Sequence, residues 1–166
     1  MEIVCTKISL SPDKWEKVIL HFAVAVEGGR TIEETMEFPR VTIKKVTDRK
    51  TGKEKETQVN AFQNGKFTTG FRKKTAHAAV GKYYPKYLDD CKAIAKICAS
   101  IRGAARDVTD NPLAAEQYIN KLRQGMAEMP AMDLQGREAW LFYCSTDARL
   151  KMFGGEAADK EDSIDE

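Results

Sequence analysis

The segment from residue 60 to residue 86 combines aromatic and cationic side chains with no acidic residue between them: NAFQNGKFTTGFRKKTAHAAVGKYYPK. Cations neutralise phosphate groups and release the counterions around a nucleic acid, which supplies much of the binding free energy. Flat aromatic rings stack on unpaired bases, at about 1–3 kcal/mol per base. The two residue types together indicate a surface that binds a polyanion, and single-stranded nucleic acid is the first expectation.

The charge of the chain is unevenly distributed along its length. The net charge is only +2, yet residues 41–86 hold 12 basic and 3 acidic side chains, net +9. Residues 1–40 are net −2, residues 87–153 are neutral, and residues 154–166 are net −5. We interpret the last segment as a flexible acidic tail that folds back on the basic surface and competes with nucleic acid. A solubilising terminus is the alternative interpretation.

The predicted binding residues are the cations of the basic segment together with two adjacent tyrosines. Tyr83 and Tyr84 precede Pro85 at a break between helical stretches, so at least one ring is expected to be exposed. Lysines near glycine turns are also common as solvated surface residues that protect sheet edges from pairing with other chains. The predicted set is Lys44, Lys45, Arg49, Lys50, Lys53, Lys66, Arg72, Lys73, Lys74, Lys82, Tyr83, Tyr84 and Lys86.

Residues suited to catalysis are sparse. The phosphate-binding pattern G-x-x-x-x-G-K-[ST] does not occur. His21 lies on an apolar strand face, which predicts a core histidine, and His77 lies in a basic stretch, where a solvated or phosphate-contacting role is expected. Glu33 and Glu34 are strand neighbours that point to opposite faces, so they form no two-carboxylate site. We therefore expect a protein that is not an enzyme and uses no cofactor.

The four cysteines form no C-x-x-C pair. Cys91 and Cys98 are seven residues apart, which is about 10 Å along a helix and too far for a disulfide. We expect the thiols to pack as small hydrophobic groups and expect no metal site. A zinc site assembled from scattered cysteines and histidines is the weaker alternative.

The first third of the chain is predicted to form antiparallel strands. Alternation places Val4 and Ile8 on one face of the first strand. The segment KVILHFAVAVE is apolar on both faces, as in a central strand. Gly28–Gly29 and Asn64–Gly65 suit two-residue hairpin turns, and the second turn is expected to return a strand that carries Phe67 and Phe71 on one face. About six strands are expected in all.

A basic hairpin and a helical region complete the prediction. The arms RVTIKKVT and EKETQVNAF flank Gly52 and predict a polar ribbon that projects from the sheet or lies on its edge. Thr75 is the expected N-cap of the first helix. The next helices follow, with Ile119 and Met126 among the positions expected to be buried. Residues 134–153 are expected to be helical, although AWLFYC also suits a short strand.

These elements predict an α+β fold. An N-terminal antiparallel sheet or small open barrel carries the projecting hairpin, and a C-terminal helical layer follows. We expect one domain over residues 1–153, mainly β over residues 1–74 and mainly α over residues 75–153. Residues 154–166 form the predicted acidic tail.

The sequence therefore predicts a cytoplasmic, non-enzymatic protein that binds single-stranded DNA or RNA. No apolar run approaches the roughly 20 residues that a membrane-spanning helix needs, and the start MEIVCTKISL lacks a signal-peptide core. The alternative is a phage-type structural or assembly protein, or an inhibitor, whose basic face docks on an acidic protein partner. The oligomeric state is left open.

Overall fold

The computed structural model describes residues 2–164, with side chains over residues 2–153, so the predicted acidic tail, residues 154–166, lies only partly within the described residues. It confirms the α+β fold, because a three-stranded antiparallel sheet precedes four helices. The chain forms two compact units, residues 1–79 with 142–166 and residues 80–141. The compactness of a unit does not show whether it folds alone. The single domain predicted over residues 1–153 therefore stays a prediction.

The main sheet has the strand order β1-β2-β3, with β1 (Ile3–Leu10), β2 (Lys17–Ala25) and β3 (Thr31–Pro39). The turn between β2 and β3 uses Gly28 and Gly29 at φ of 87° and 75°, a left-handed conformation that glycine adopts without steric cost. Because β2 is central, both of its faces are covered at least in part, as its apolar pattern predicted.

A β-bulge in β1 changes which residues of that strand point inward. The pairing with β2 shifts between Cys5 and Lys7, so one residue of β1 is left unmatched. Ile3, Cys5 and Ile8 are consequently buried, whereas Val4 is 42% exposed. The prediction that Val4 and Ile8 share a face was wrong because simple alternation takes no account of the bulge.

Strands β4 (Val41–Thr47) and β5 (Glu54–Asn60) form a separate two-stranded sheet, which we call the ribbon. Gly52, at φ 67°, lies in the loop that joins the strands. All residues of β5 except Asn60 are exposed. The ribbon is the projecting basic hairpin that the sequence predicted.

The second short hairpin leads directly into a helix rather than into a long strand. It consists of β6 (Phe62–Gln63) and β7 (Lys66–Phe67), and α1 (Thr69–Tyr83) follows at once. The Phe71 amide donates a 3.2 Å hydrogen bond to Thr68 Oγ1, so Thr68 caps α1. The expected cap, Thr75, is instead fully buried inside the helix. The predicted change from β to α at residue 75 was therefore too late.

The core of the first unit lies between the inward face of the sheet and residues of α1 and α4 (Leu134–Ile164). Leu20 and Phe22 of β2 are fully buried, as is Leu150 of α4. The rings of Phe22 and Phe142 lie 5.8 Å apart. The helix predicted over AWLFYC is confirmed, and the short-strand alternative is wrong.

His77 belongs to the same packing. Its ring stacks on Tyr143 at 5.4 Å, with 26° between the planes, and the residue is half-buried. The expectation of a solvated or phosphate-contacting histidine was therefore wrong. His77 lies against Tyr143 because the helical phase of α1 turns this position toward α4.

In the second unit, the 3-10 turn Pro85–Tyr87 precedes α2 (Leu88–Asp110), and the turn Pro112–Ala114 precedes α3 (Ala115–Glu128). A Cβ atom at Gly125 would lie 2.8 Å from Ile97 Cγ2, so α3 packs closely on α2 at this glycine. Met126, about 100° further round the helix, is 78% exposed. Ile119 is also exposed, so the buried face predicted for α3 was wrong at both positions.

The thiols are distributed between core and surface. Cys5 and Cys91 are buried, Cys98 is half-buried and Cys144 is exposed. Burial raises the pKa of the Cys5 thiol to about 11, against a smaller lowering effect of the Arg149 charge. Among the described residues there is no group of three or more His, Cys, Asp or Glu side chains that could hold a metal ion.

None of the helices in the described part of the chain combines the length and the apolar character needed to cross a membrane.

Candidate nucleic-acid interface

A cleft of about 390 Å³ lies where the ribbon meets the first turn of α1, and we call it the ribbon cleft. Its walls come from the end of β3, the base of both ribbon strands and the start of α1. This volume is typical of sites that hold small organic ligands. The lining residues are Phe38, Pro39, Arg40, Thr42, Ile43, Lys44, Val59, Ala61, Thr68, Gly70, Phe71 and Lys74.

The cleft has a strongly one-sided charge. Arg40, Lys44 and Lys74 supply three cations, and none of its twelve lining residues carries a carboxylate. The Arg40 Nε atom is buried and has no hydrogen-bond partner among the described residues. A buried donor without a partner costs about 1–3 kcal/mol, so an anion that accepts its hydrogen bond would stabilise this arrangement.

Two aromatic rings line the same cleft. Phe38 and Phe71 meet edge to face, with centroids 6.3 Å apart and an interplanar angle of 89°. Phe71 also stacks on the buried Phe67 at 5.1 Å. The rings are therefore held in place by the core behind them, and the cleft presents fixed aromatic surface beside its cations.

The first turn of α1 contributes a favourable field for anions. Helix N-termini carry a partial positive charge, and Thr68 and Gly70 of this turn line the cleft. A Cβ atom at Gly70 would meet nothing within 4 Å. The backbone here is consequently open to a ligand that enters the cleft.

One face of the ribbon extends the cleft without acidic residues. The strand register pairs Thr42 with Val59, Lys44 with Thr57 and Val46 with Lys55 on this face. On the opposite face, Lys45 pairs with Glu56 and Thr47 pairs with Glu54. We call the first set the acid-free face. At about 3.4 Å per residue, it extends roughly 14 Å from Thr42 to Val46, toward the end of the ribbon.

The predicted cations of the first unit fall into distinct positions. Lys44 and Lys74 are brought together in the ribbon cleft, and Lys45 lies on the other face of the ribbon. Lys73 is exposed on α1, and Lys66 is exposed at the start of β7. Three further exposed cations lie in the loop between the ribbon strands, namely Arg49, Lys50 and Lys53.

Arg72 has a different environment from its neighbours Lys73 and Lys74. Its side chain is 17% exposed, and its Nη1 atom lies 4.0 Å from Asp147 Oδ1 of α4. The same helical phase that exposes Lys73 and Lys74 turns Arg72 toward the core of the unit. This contact between α1 and α4 leaves less of the Arg72 side chain accessible, and its role in binding stays a prediction.

Comparison with models of known protein families, with curated proteins and with solved structures finds no match for this chain. The candidate site consequently stands on its own geometry.

The remaining predicted residues belong to the second unit. Lys82 lies over the ring of Tyr83 at 5.1 Å, and Tyr83 is half-buried. Lys86 lies 5.4 Å from the ring centre of Tyr87. Tyr84 is only 7% exposed, so little of its ring is accessible to a base, and its role in binding stays a prediction. Its amide donates to the Val80 carbonyl, which continues the turn of α1 and directs the ring inward.

Sequence reasoning missed Phe38 and Arg40. Arg40 falls one residue before the basic segment, and Phe38 lies two residues before Arg40. Pro39 between them was the available signal, because proline marks a strand end, and side chains at strand ends often lie at sites.

Proposed function

We propose that this chain binds single-stranded nucleic acid, DNA or RNA, in the cytoplasm through the ribbon cleft and the acid-free face. The observation that carries the proposal is the lining of the cleft, which among the described residues combines three cations and two phenylalanine rings with no carboxylate. Binding of this kind requires no catalytic group and no cofactor.

The size of the cleft favours unpaired strands. At about 390 Å³ it suits a ligand of the size of a nucleotide rather than a duplex. A phosphate accepts hydrogen bonds from Arg40 and Lys74, and the adjacent base stacks against the aromatic side of the cleft. Lys44 then directs the following phosphates along the acid-free face.

The acidic tail, residues 154–166, supports regulation through its charge. Removal of this segment raises the net charge of the chain from +2 to +7. We expect tighter binding of single strands after deletion, with the largest gain at low salt, because a −5 segment competes with phosphate for the same cations. Unchanged affinity at all salt concentrations would remove the autoregulatory part of the proposal.

The decisive experiment is a titration of labelled single-stranded DNA and RNA, followed by fluorescence anisotropy at several salt concentrations. The test variant is Lys44→Ala/Lys74→Ala, and the matched control is Lys45→Ala/Lys73→Ala, which removes the same charge outside the cleft. Each phosphate contact contributes about −0.7 to the salt slope on single strands. The test variant should therefore lose about 1.4 from the slope, and the control should lose less.

Two results would count against the proposal. Equal losses in both variants would mean that charge acts diffusely and the cleft has no special role. No binding at low salt by the folded protein would remove nucleic acid as the ligand and favour the acidic protein partner.

A further inference from the structure

Three polar side chains form a hydrogen-bonded row across the outer face of the main sheet. His21 Nε2 lies 2.8 Å from Ser9 Oγ, and His21 Nδ1 lies 3.0 Å from Glu33 Oε1. The register explains the row, because His21 pairs with Lys7 and Thr35, which places Ser9 and Glu33 at its diagonal positions on the same face. One residue therefore comes from each of the three strands.

The carboxylate of Glu33 determines which ring nitrogen of His21 carries the proton. An ionised carboxylate can only accept a hydrogen bond, so Nδ1 carries the proton that is donated to Glu33. In the neutral ring, Nε2 is then the acceptor, and the Ser9 hydroxyl donates to it. A serine that donates to Nε2 of a histidine held by an acid is the arrangement that activates a serine nucleophile, and it is recognised by geometry rather than by position in the chain.

We propose that Ser9 is an acyl-accepting nucleophile, with His21 as its general base and Glu33 as a positioning residue, and that it reacts with small activated esters. This departs from the sequence-based expectation that the chain is not an enzyme. It is independent of the ribbon cleft, none of whose lining residues belongs to the row.

The surroundings of the row suit a small apolar acyl group. Val4 pairs with Ala23 beside the row and is 42% exposed, and Ile19, opposite Ser9, is half-buried. Lys7 is exposed on the same face and offers an ammonium group for the negative charge that develops on the carbonyl oxygen. The face is a surface rather than an enclosed cavity, so the substrate needs a good leaving group.

In the proposed step, Ser9 Oγ forms a bond to the ester carbonyl carbon while its proton moves to His21 Nε2. The bond between that carbon and the leaving aryl oxygen then breaks, and His21 returns the proton to the departing phenolate. The products are acyl-Ser9 and a phenol, so no oxidant or other co-reactant is needed. Water hydrolyses the acyl-enzyme in a second, slower step.

The test uses 4-nitrophenyl acetate with the full chain, and measures both nitrophenolate release and the position of the acetyl group by peptide mass spectrometry. We expect about one rapid equivalent of nitrophenolate and acetylation of Ser9. Ser9→Ala should abolish both. Ser11→Ala removes a neighbouring hydroxyl that accepts a backbone hydrogen bond at the end of β1, and should change neither.

The tests of His21 and Glu33 use measurements that a purely structural role of these residues would not change. His21→Ala should slow acetylation at least tenfold, and added imidazole should restore part of the rate. Glu33 is 70% exposed, so Glu33→Gln should keep the fold while slowing acetylation at least tenfold, and Glu33→Asp should recover part of the rate. Acetyl groups only on lysines, or a rate that is unchanged in Ser9→Ala, would overturn the proposal and leave the row as a cross-strand polar contact.

Discussion

The rings of Phe67 and Phe71 stack with centroids 5.1 Å apart and 29° between their planes, although one residue ends a strand and the other lies in the first turn of a helix. Phe153 of α4 also stacks on Phe67 at 5.1 Å, and Phe62 meets it edge to face at 5.2 Å. Phe67 is thus the centre of an aromatic cluster that joins the short hairpin to α1 and α4.

Replacement of Phe67 by alanine should reduce the free energy of unfolding by about 3–5 kcal/mol, because it removes a ring that is 6% exposed from contacts with three others. Urea denaturation measures the change. The control is Ile43→Ala on the ribbon, where the side chain is 64% exposed and the expected change is within about 0.5 kcal/mol. A loss below about 1 kcal/mol for Phe67→Ala would contradict the central role of this ring.

Tyr83 and Tyr84 should respond differently to truncation. Tyr84 is 7% exposed, so Tyr84→Ala should reduce the free energy of unfolding by about 3–5 kcal/mol, as for other buried aromatic residues. Tyr83 is half-buried, and Tyr83→Ala should cost less. The same denaturation experiment compares the two. If Tyr84→Ala weakens nucleic-acid binding but leaves stability unchanged, the ring is accessible in solution and contacts the ligand.

Two glycines in helices should respond to alanine with opposite signs. At Gly125 an added methyl group would lie 2.8 Å from Ile97 and 2.9 Å from Ile101, and overpacking of this kind costs about 1–3 kcal/mol. At Gly103 the added methyl group meets nothing within 4 Å, so Gly103→Ala should gain about 0.5–1 kcal/mol from helix propensity. Thermal unfolding of both variants measures the difference, and stabilisation by Gly125→Ala would show that α2 and α3 are packed less closely.

The start of α4 should make stability depend on pH at both extremes. The Gly136 amide and the Tyr87 hydroxyl each donate to Asp133 at 2.8 Å. These hydrogen bonds lower the pKa of Asp133, with the larger effect from the Gly136 amide and the smaller from the Tyr87 hydroxyl. The same hydrogen bond between Tyr87 and Asp133 raises the pKa of Tyr87. Because the pKa of Asp133 is lowered, its stabilising effect is lost as the pH falls below about 4. Because the pKa of Tyr87 is raised, its stabilising effect is lost as the pH rises above about 10.

Tyr87→Phe tests this pH dependence, since it keeps the buried ring and removes the hydroxyl. Melting temperatures of the wild type and the variant should differ most between about pH 4 and pH 10 and should converge outside this range. A difference that stays constant across the whole pH range would mean that the hydroxyl contributes through packing alone.

Local features of the fold were predictable because their causes are local. Gly28–Gly29 and Asn64–Gly65 adopt positive φ in the structure as predicted, since few other residue pairs tolerate that conformation. The alternation of β-branched and polar residues likewise predicted the ribbon. The distribution of charge along the chain predicted the basic segment, but it did not predict that Lys44 lies in the cleft and Lys45 outside it. That difference depends on which face of the ribbon each lysine occupies.

The amino-acid sequence by itself determined the turns, most of the strands and helices and the placement of charge along the chain, because each depends mainly on neighbouring residues. Only the tertiary structure decided that Arg40, Lys44 and Lys74 share a cleft, that Tyr84 is buried, and that Ser9, His21 and Glu33 form one row. These relationships depend on strand register, on one β-bulge and on the rotational phase of α1. A shift of one residue in any of them turns a side chain to another face, and no local pattern in the sequence fixes that shift.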